Sequence, residues 1–109
     1  MEVRPRKVAK YVSEDGRCPF DEWFDSLRDP LGRAQIDKRI ARLRLGLLGE
    51  WDDVGEGVIE LIFKNTGPGY RVYCGQDGGS LVILLVGGMK RGQRSDIASA
   101  KAYWRDYNE

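Results

Sequence analysis

Arg71 and Glu60 are the residues of this chain best placed to do chemistry, because both interrupt runs that otherwise read as sheet. In Tyr70-Arg71-Val72-Tyr73-Cys74 side chains alternate between faces, so Arg71 shares a face with Tyr73, and Val72 with Cys74. In Val58-Ile59-Glu60-Leu61-Ile62-Phe63, Glu60 falls on the face of Ile62 and Lys64. Whether that face is also Arg71's depends on the register of the turn at Asn65 to Gly69, and a slip of one residue reverses the answer. If the two coincide, a carboxylate and a guanidinium meet on one surface. Such a pair suits base-assisted attack with stabilisation of a charged phosphate. The plainer alternative stays open: Arg71 on a wet sheet face, or paired structurally with a carboxylate such as Glu60.

The segment Gly87-Gly88-Met89-Lys90-Arg91-Gly92-Gln93-Arg94-Ser95 places Lys90, Arg91 and Arg94 after a strand and before a helix. Glycines admit close approach of a ligand to the backbone, and the helix N-terminus beyond favours anions. Phosphate binding is one reading of this segment, and a solvated loop with a helix cap is the other. It is not a P-loop, since the spacing GxxxxGK[ST] is absent. Arg42, on the second helix, belongs either to a phosphate-binding surface or to the wet face of an amphipathic helix.

The remaining composition narrows the chemistry. With 18 Lys and Arg against 17 Asp and Glu the net charge is +1, so binding of nucleic acid by bulk charge alone is excluded and only a local basic patch remains. His is absent, which removes every mechanism built on imidazole. Cys18 and Cys74 form no CxxC pair and make no zinc site alone, and they read as reduced thiols. No metal or small-molecule cofactor is expected. The N-terminal stretch MEVRPRKVAKYV has no apolar core of a signal peptide, and the apolar run Leu81 to Val86 is too short to span a bilayer. A cytoplasmic protein with no membrane partner is expected.

These residues need a scaffold, and 109 residues predict one domain over 1–109. Arg6 to Val12 reads as a first strand. Pro19 to Leu27 reads as a helix with Phe20, Trp23, Phe24 and Leu27 on its buried stripe. Leu31 to Leu47 reads as a second helix with Ile36, Ile40, Leu43 and Leu47 inward, closed by Gly46 and Gly49, one of them in a left-handed cap. Three strands follow, at Val58 to Phe63, Tyr70 to Cys74 and Leu81 to Val86. The last is apolar on both faces and belongs inside a sheet covered by helices. Ser95 reads as the N-cap of a final helix, with Ile97, Ala100, Trp104 and Tyr107 on its core face. The expected fold is α+β, ordered β-α-α-β-β-β-α, with helices packed on a four-stranded, mostly antiparallel sheet.

An ordered set of strings carries a resemblance. These are Gly16-Arg17-Cys18-Pro19-Phe20, Arg39-Ile40-Ala41-Arg42-Leu43, Gly57-Val58-Ile59-Glu60-Leu61, Gly67-Pro68-Gly69-Tyr70-Arg71-Val72-Tyr73, and Leu84-Leu85-Val86-Gly87-Gly88-Met89-Lys90 with Gln93 and Asp96-Ile97. Together they resemble the RelE/ParE toxin superfamily, most closely its HigB-like addiction module killer protein branch. The resemblance implies a RelE-like compact domain and the toxin half of a bacterial type II toxin–antitoxin system. It further implies a metal-independent endoribonuclease acting on mRNA at the ribosome, in which a 2′-hydroxyl attacks the adjacent phosphate. By position, Arg71 would hold the scissile phosphate, Lys90 would be the basic residue ending the last strand, and Glu60 is a candidate base. Arg91, Arg94, Tyr73, Lys64 and Arg42 are candidates for contacting RNA. A helix-turn-helix antitoxin is the implied partner.

Two positions depart from that branch. Ile62 stands where an arginine usually follows the Glu-Leu pair, and Arg91-Gly92 stand where small hydroxyl residues are common. The first change removes a cation from the implied site. It keeps two alternatives in view: a ParE-like toxin that binds DNA gyrase without catalysis, and an inactive module that only pairs with another protein. On the sequence, Arg71→Ala is expected to leave the fold largely intact and to lose toxicity.

Overall fold

The computed structural model describes residues 4–109; residues 1–3, the start of the charged N-terminal stretch, lie outside the described residues. The elements are β1 (Lys7–Lys10), α1 (Pro19–Ser26), α2 (Pro30–Arg44), β2 (Trp51–Gly55), β3 (Val58–Ile62), β4 (Tyr70–Asp77), β5 (Leu81–Met89) and α3 (Gln93–Tyr107). The sheet has five strands rather than four, in the order β1-β5-β4-β3-β2. β2 through β5 form an antiparallel meander, and β1 joins β5 in parallel.

The additional strand is β2, whose Trp51-Asp52-Asp53 run is exposed and acidic and carries no alternation that marks a buried face. It is an edge strand, held by β3 through a two-residue turn at Glu56 and Gly57. Both have positive φ, at 57° and 84°, which suits the twist of a tight hairpin. Glutamate seldom adopts that conformation, so the turn signal in the sequence is faint.

Helices cover both faces of the sheet. Phe20 of α1 and Ile36, Ile40 and Leu43 of α2 pack on Ile59, Leu61, Tyr70, Val72, Cys74, Val82 and Leu84. On the opposite face Ala100 and Trp104 of α3 pack on Val58, Tyr73, Ile83 and Leu85. β5 lies inside the sheet with apolar residues toward both layers, as its composition implied.

Several boundaries move for local reasons. β1 is shorter than Arg6 to Val12, and Val12 is exposed. α2 begins at Pro30 because Asp29 caps it, its carboxylate accepting the Gly32 amide at 3.0 Å. The helix ends at Arg44, with Gly46 at φ +85°. The Gly46 and Leu47 amides donate back to Leu43 and Arg42, and Leu47 is left exposed beyond the cap. Tyr107 also lies at the edge of the core, stacked on Trp104 with ring centroids 5.2 Å apart. α3 starts at Gln93 rather than after Ser95. Gly92, at φ +92°, makes the bend from Lys90-Arg91 into the helix, a conformation that a side chain would oppose.

A bulge between β4 and β5 decides which groups meet above the sheet. Tyr73 pairs with Val86 and Cys74 with Leu84, so Leu85 is the extra residue. Leu85 and Val86 both turn toward α3, and the alternation is reversed from there on. Gly87 therefore lies under the Trp23 indole of α1 and Gly88 under the Asp96 carboxylate of α3, with no room for a Cβ at either glycine.

Candidate functional site

The β3–β4 register pairs Glu60 with Tyr73 and Ile62 with Arg71. All four side chains therefore share the α3-facing side of the sheet. Glu60 Oε1 lies 3.6 Å from Arg71 Nε, with the two side chains 2% and 12% exposed. The second carboxylate oxygen, Oε2, accepts from Gln93 Nε2 of α3 at 2.7 Å. Arg71 Nη1 donates to the carbonyls of Gly69 at 3.0 Å and Tyr70 at 3.2 Å. Nη2 makes no hydrogen bond among the described residues. The guanidinium is thus fixed on two sides, with one nitrogen left to accept a ligand.

Lys90 reaches the same place from the other strand. Its backbone amide donates to the Gly69 carbonyl at 2.9 Å, the oxygen that Arg71 Nη1 also uses. A Cβ on Gly69 would lie 3.2 Å from Lys90 Cβ and 3.6 Å from Arg71 Nη1, so the root of the lysine and the guanidinium flank one glycine. Lys90, Arg91 and Arg94 are exposed. The Arg71 strand and the basic segment after β5 therefore converge.

The other expected contacts separate from this cluster. Tyr73 is fully buried beneath α3, with no surface for a ligand to touch, and its hydroxyl has no hydrogen-bond partner. Burial first, then the negative charge of Glu60 and the approach of its carboxylate to the hydroxyl short of a well-formed hydrogen bond, and then Asp96, push its ionisation far above the ordinary tyrosine range. Lys64 lies beyond the end of β3 and pairs with Glu50 at 3.0 Å instead of joining Glu60's face. Arg42 lines a shallow depression on the α2 side with Lys64, Glu50, Lys38 and Arg39. Arg39 is spent structurally, donating to the carbonyls of Leu48, Ile62 and Glu50 and lying over the Phe63 ring.

Two residues of the cluster went unassigned as site residues in the sequence. Gln93 carried no recognisable signal apart from its place in the ordered strings. Asp96 followed the Ser95 position read as an N-cap, with no further signal than its place in the ordered strings. In the structure Asp96 is half-buried against Gly88, its carboxylate has no hydrogen bond or ion pair among the described residues, and its pKa is raised by burial. Neither cysteine is bonded to the other; Cys74 is buried and its thiol is pushed up to about 12 by desolvation. Among the described residues no group of three or more His, Cys, Asp or Glu could hold a metal ion, and no helix is long and apolar enough to cross a membrane.

No family model matches the chain. It is similar to a protein of Haemophilus influenzae that bears the description "Uncharacterized protein", with 44% identity over 82 residues, covering 75% of this chain and 82% of the relative. Identity of that degree over that span reflects common descent and a shared fold, and this chain belongs to the same family as the H. influenzae protein.

Proposed function

We propose that this protein is a RelE/ParE-superfamily toxin of the HigB-like branch, a metal-independent endoribonuclease acting on mRNA at the ribosome and held in check by a helix-turn-helix antitoxin. The observation that carries the reading is the meeting of Arg71 and Lys90 at the Gly69 carbonyl, beside the exposed Arg91 and Arg94. An α+β domain with the element order of that superfamily supports it, with β2 as an added edge strand.

In this reading the free Arg71 nitrogen grips the scissile phosphate and stabilises the charge that builds on its oxygens. The exposed cations hold the flanking backbone. A base takes the 2′-hydroxyl proton, the O2′–P bond forms, and the P–O5′ bond breaks. The products are a 2′,3′-cyclic phosphate and a 5′-hydroxyl. Glu60 is 2% exposed and both of its oxygens are engaged. Its role here is to orient Arg71, because a carboxylate so enclosed does not reach an RNA hydroxyl.

One feature favours a second reading. Ile62 stands opposite Arg71 and leaves an apolar, half-buried position where the branch carries arginine, which suits protein binding of the gyrase-directed kind. Expression of the chain without its partner, with RNA ends mapped by primer extension, separates the two. New 5′-hydroxyl ends in arrested cells, absent with Arg71→Lys, are the expected result. Growth arrest with unbroken transcripts and inhibited gyrase supercoiling would replace the nuclease with the gyrase-binding toxin. Harmless overexpression would leave only a protein-binding module.

A further inference from the structure

Of the acids near the Arg71–Lys90 cluster, the one able to exchange a proton with a ligand is Asp96. It projects from the first turns of α3 onto Gly88, so closely that a Cβ there would overlap the carboxylate. Gly88 is the direct partner of Arg71 across β4 and β5. Side chains of partnered residues share a face, so the carboxylate lies beside the root of Arg71 and on its side of the sheet. Glu60, by contrast, is held by Arg71 and Gln93.

Among the described residues Asp96 also lacks a partner for its carboxylate. A half-buried carboxylate ordinarily finds a donor, and this one has no hydrogen bond or ion pair among the described residues. It does not cap α3, whose N-cap is Gly92 and which has no side-chain cap. Gly88 and Tyr73 lie against it, and the charged groups of the neighbouring cluster are Glu60 of β3, Arg71 of β4 and Lys90 beyond β5. Keeping an unpaired carboxylate in such a place costs stability. Costs of this kind are retained where a group has chemical work to do.

Resting on the nuclease reading above, we infer that Asp96 is the base that takes the 2′-hydroxyl proton of the RNA. The Asp96 carboxylate accepts that proton as the 2′-oxygen bonds to phosphorus. The P–O5′ bond breaks, and the leaving 5′-oxygen takes a proton from the Lys90 ammonium. Exchange with water returns both side chains to their starting states. Desolvation supports the assignment, because it raises the carboxyl's proton affinity toward the pH at which a base is effective.

The test compares the wild-type chain with Asp96→Asn on mRNA programmed onto purified ribosomes, with thermal unfolding of both proteins alongside. Asparagine keeps the shape and removes the unpaired charge. Asp96→Asn should therefore melt at a higher temperature than wild type at pH 7 while cleaving roughly 100-fold or more slowly. It should also lose the acidic limb of the pH–rate profile. A purely structural Asp96 predicts the reverse pattern, a lower melting temperature with the acidic limb unchanged, and that result overturns the assignment. So does cleavage by Asp96→Asn at the wild-type rate, which would leave the nuclease reading standing. Absence of cleavage by the wild-type chain itself would overturn both together.

Discussion

At the scale of the residue, the Glu60–Arg71 pair is as much a structural element as a site. Glu60 is buried, and removal of Arg71 leaves its charge with a single hydrogen bond from Gln93. Breaking a pair of this kind costs about 3–5 kcal/mol. Arg71→Ala, expected from the sequence to leave the fold largely intact, should on this burial lower stability instead, so that loss of toxicity in that variant would conflate unfolding with chemistry. Glu60→Gln with Arg71→Met should recover most of the lost stability and none of the growth arrest. A double-mutant cycle by urea unfolding measures the coupling, expected to exceed about 1 kcal/mol. Tyr73→Phe tests the orphan hydroxyl. Because that hydroxyl is buried without a partner, its removal should raise stability by about 1 kcal/mol.

At the scale of the element, Asp29 ties the start of α2 to the start of β4. Its carboxylate accepts the Gly32 amide at 3.0 Å and the Tyr70 hydroxyl at 2.9 Å. These donors, the amide first, hold its pKa below the ordinary value of 3.8. A depressed carboxyl contributes stability that is fully present above its unfolded pKa and is lost as pH falls through the folded one. Asp29→Ala should lower the melting temperature at pH 7 and shrink the further loss on acidification below about pH 4. Circular dichroism melts across pH 2–7 provide the check. Because Tyr70 immediately precedes Arg71, loosening this tie should also reduce growth arrest before it unfolds the domain.

At the scale of the whole molecule, a net charge of +1 hides an uneven distribution. Lys90, Arg91 and Arg94 stand exposed around the Arg71 end of the sheet. Lys64 is neutralised by Glu50 on the α2 side, where Arg42 also lies. On the nuclease reading, affinity for single-stranded RNA should fall with salt at a log–log slope of roughly −0.7 for each phosphate neutralised. Replacing Lys90, Arg91 and Arg94 together by alanine should flatten that slope by about 2. Replacing Arg42 and Lys64 should leave it unchanged. Fluorescence anisotropy titrations at several salt concentrations measure both slopes, and equal effects from the two sets would dissolve the distinction between the faces.

Local patterns in the chain were enough to place α1, α2, β3, β4 and β5, because each carries a periodic apolar stripe or, in β5, a continuous apolar run, and both are properties of consecutive residues. A left-handed cap at Gly46 or Gly49 was legible from glycines following the last apolar turn, and the backbone returns at Gly46. β2 was not, since an exposed acidic edge strand is held by its neighbour's backbone and has no apolar stripe of its own. The site divides along the same line. Arg71 and Glu60 stood out as charges set within apolar runs and Lys90 as part of a basic segment after a glycine pair, but alternation along one strand says nothing about its phase against the next. Glu60 met Arg71 only through the β3–β4 register. Asp96 came over Gly88 only because the Leu85 bulge reversed the phase of β5 and α3 began at Gln93. Pairing and packing between distant segments settle such contacts, through hydrogen-bond ladders and excluded volume that no short stretch of chain contains.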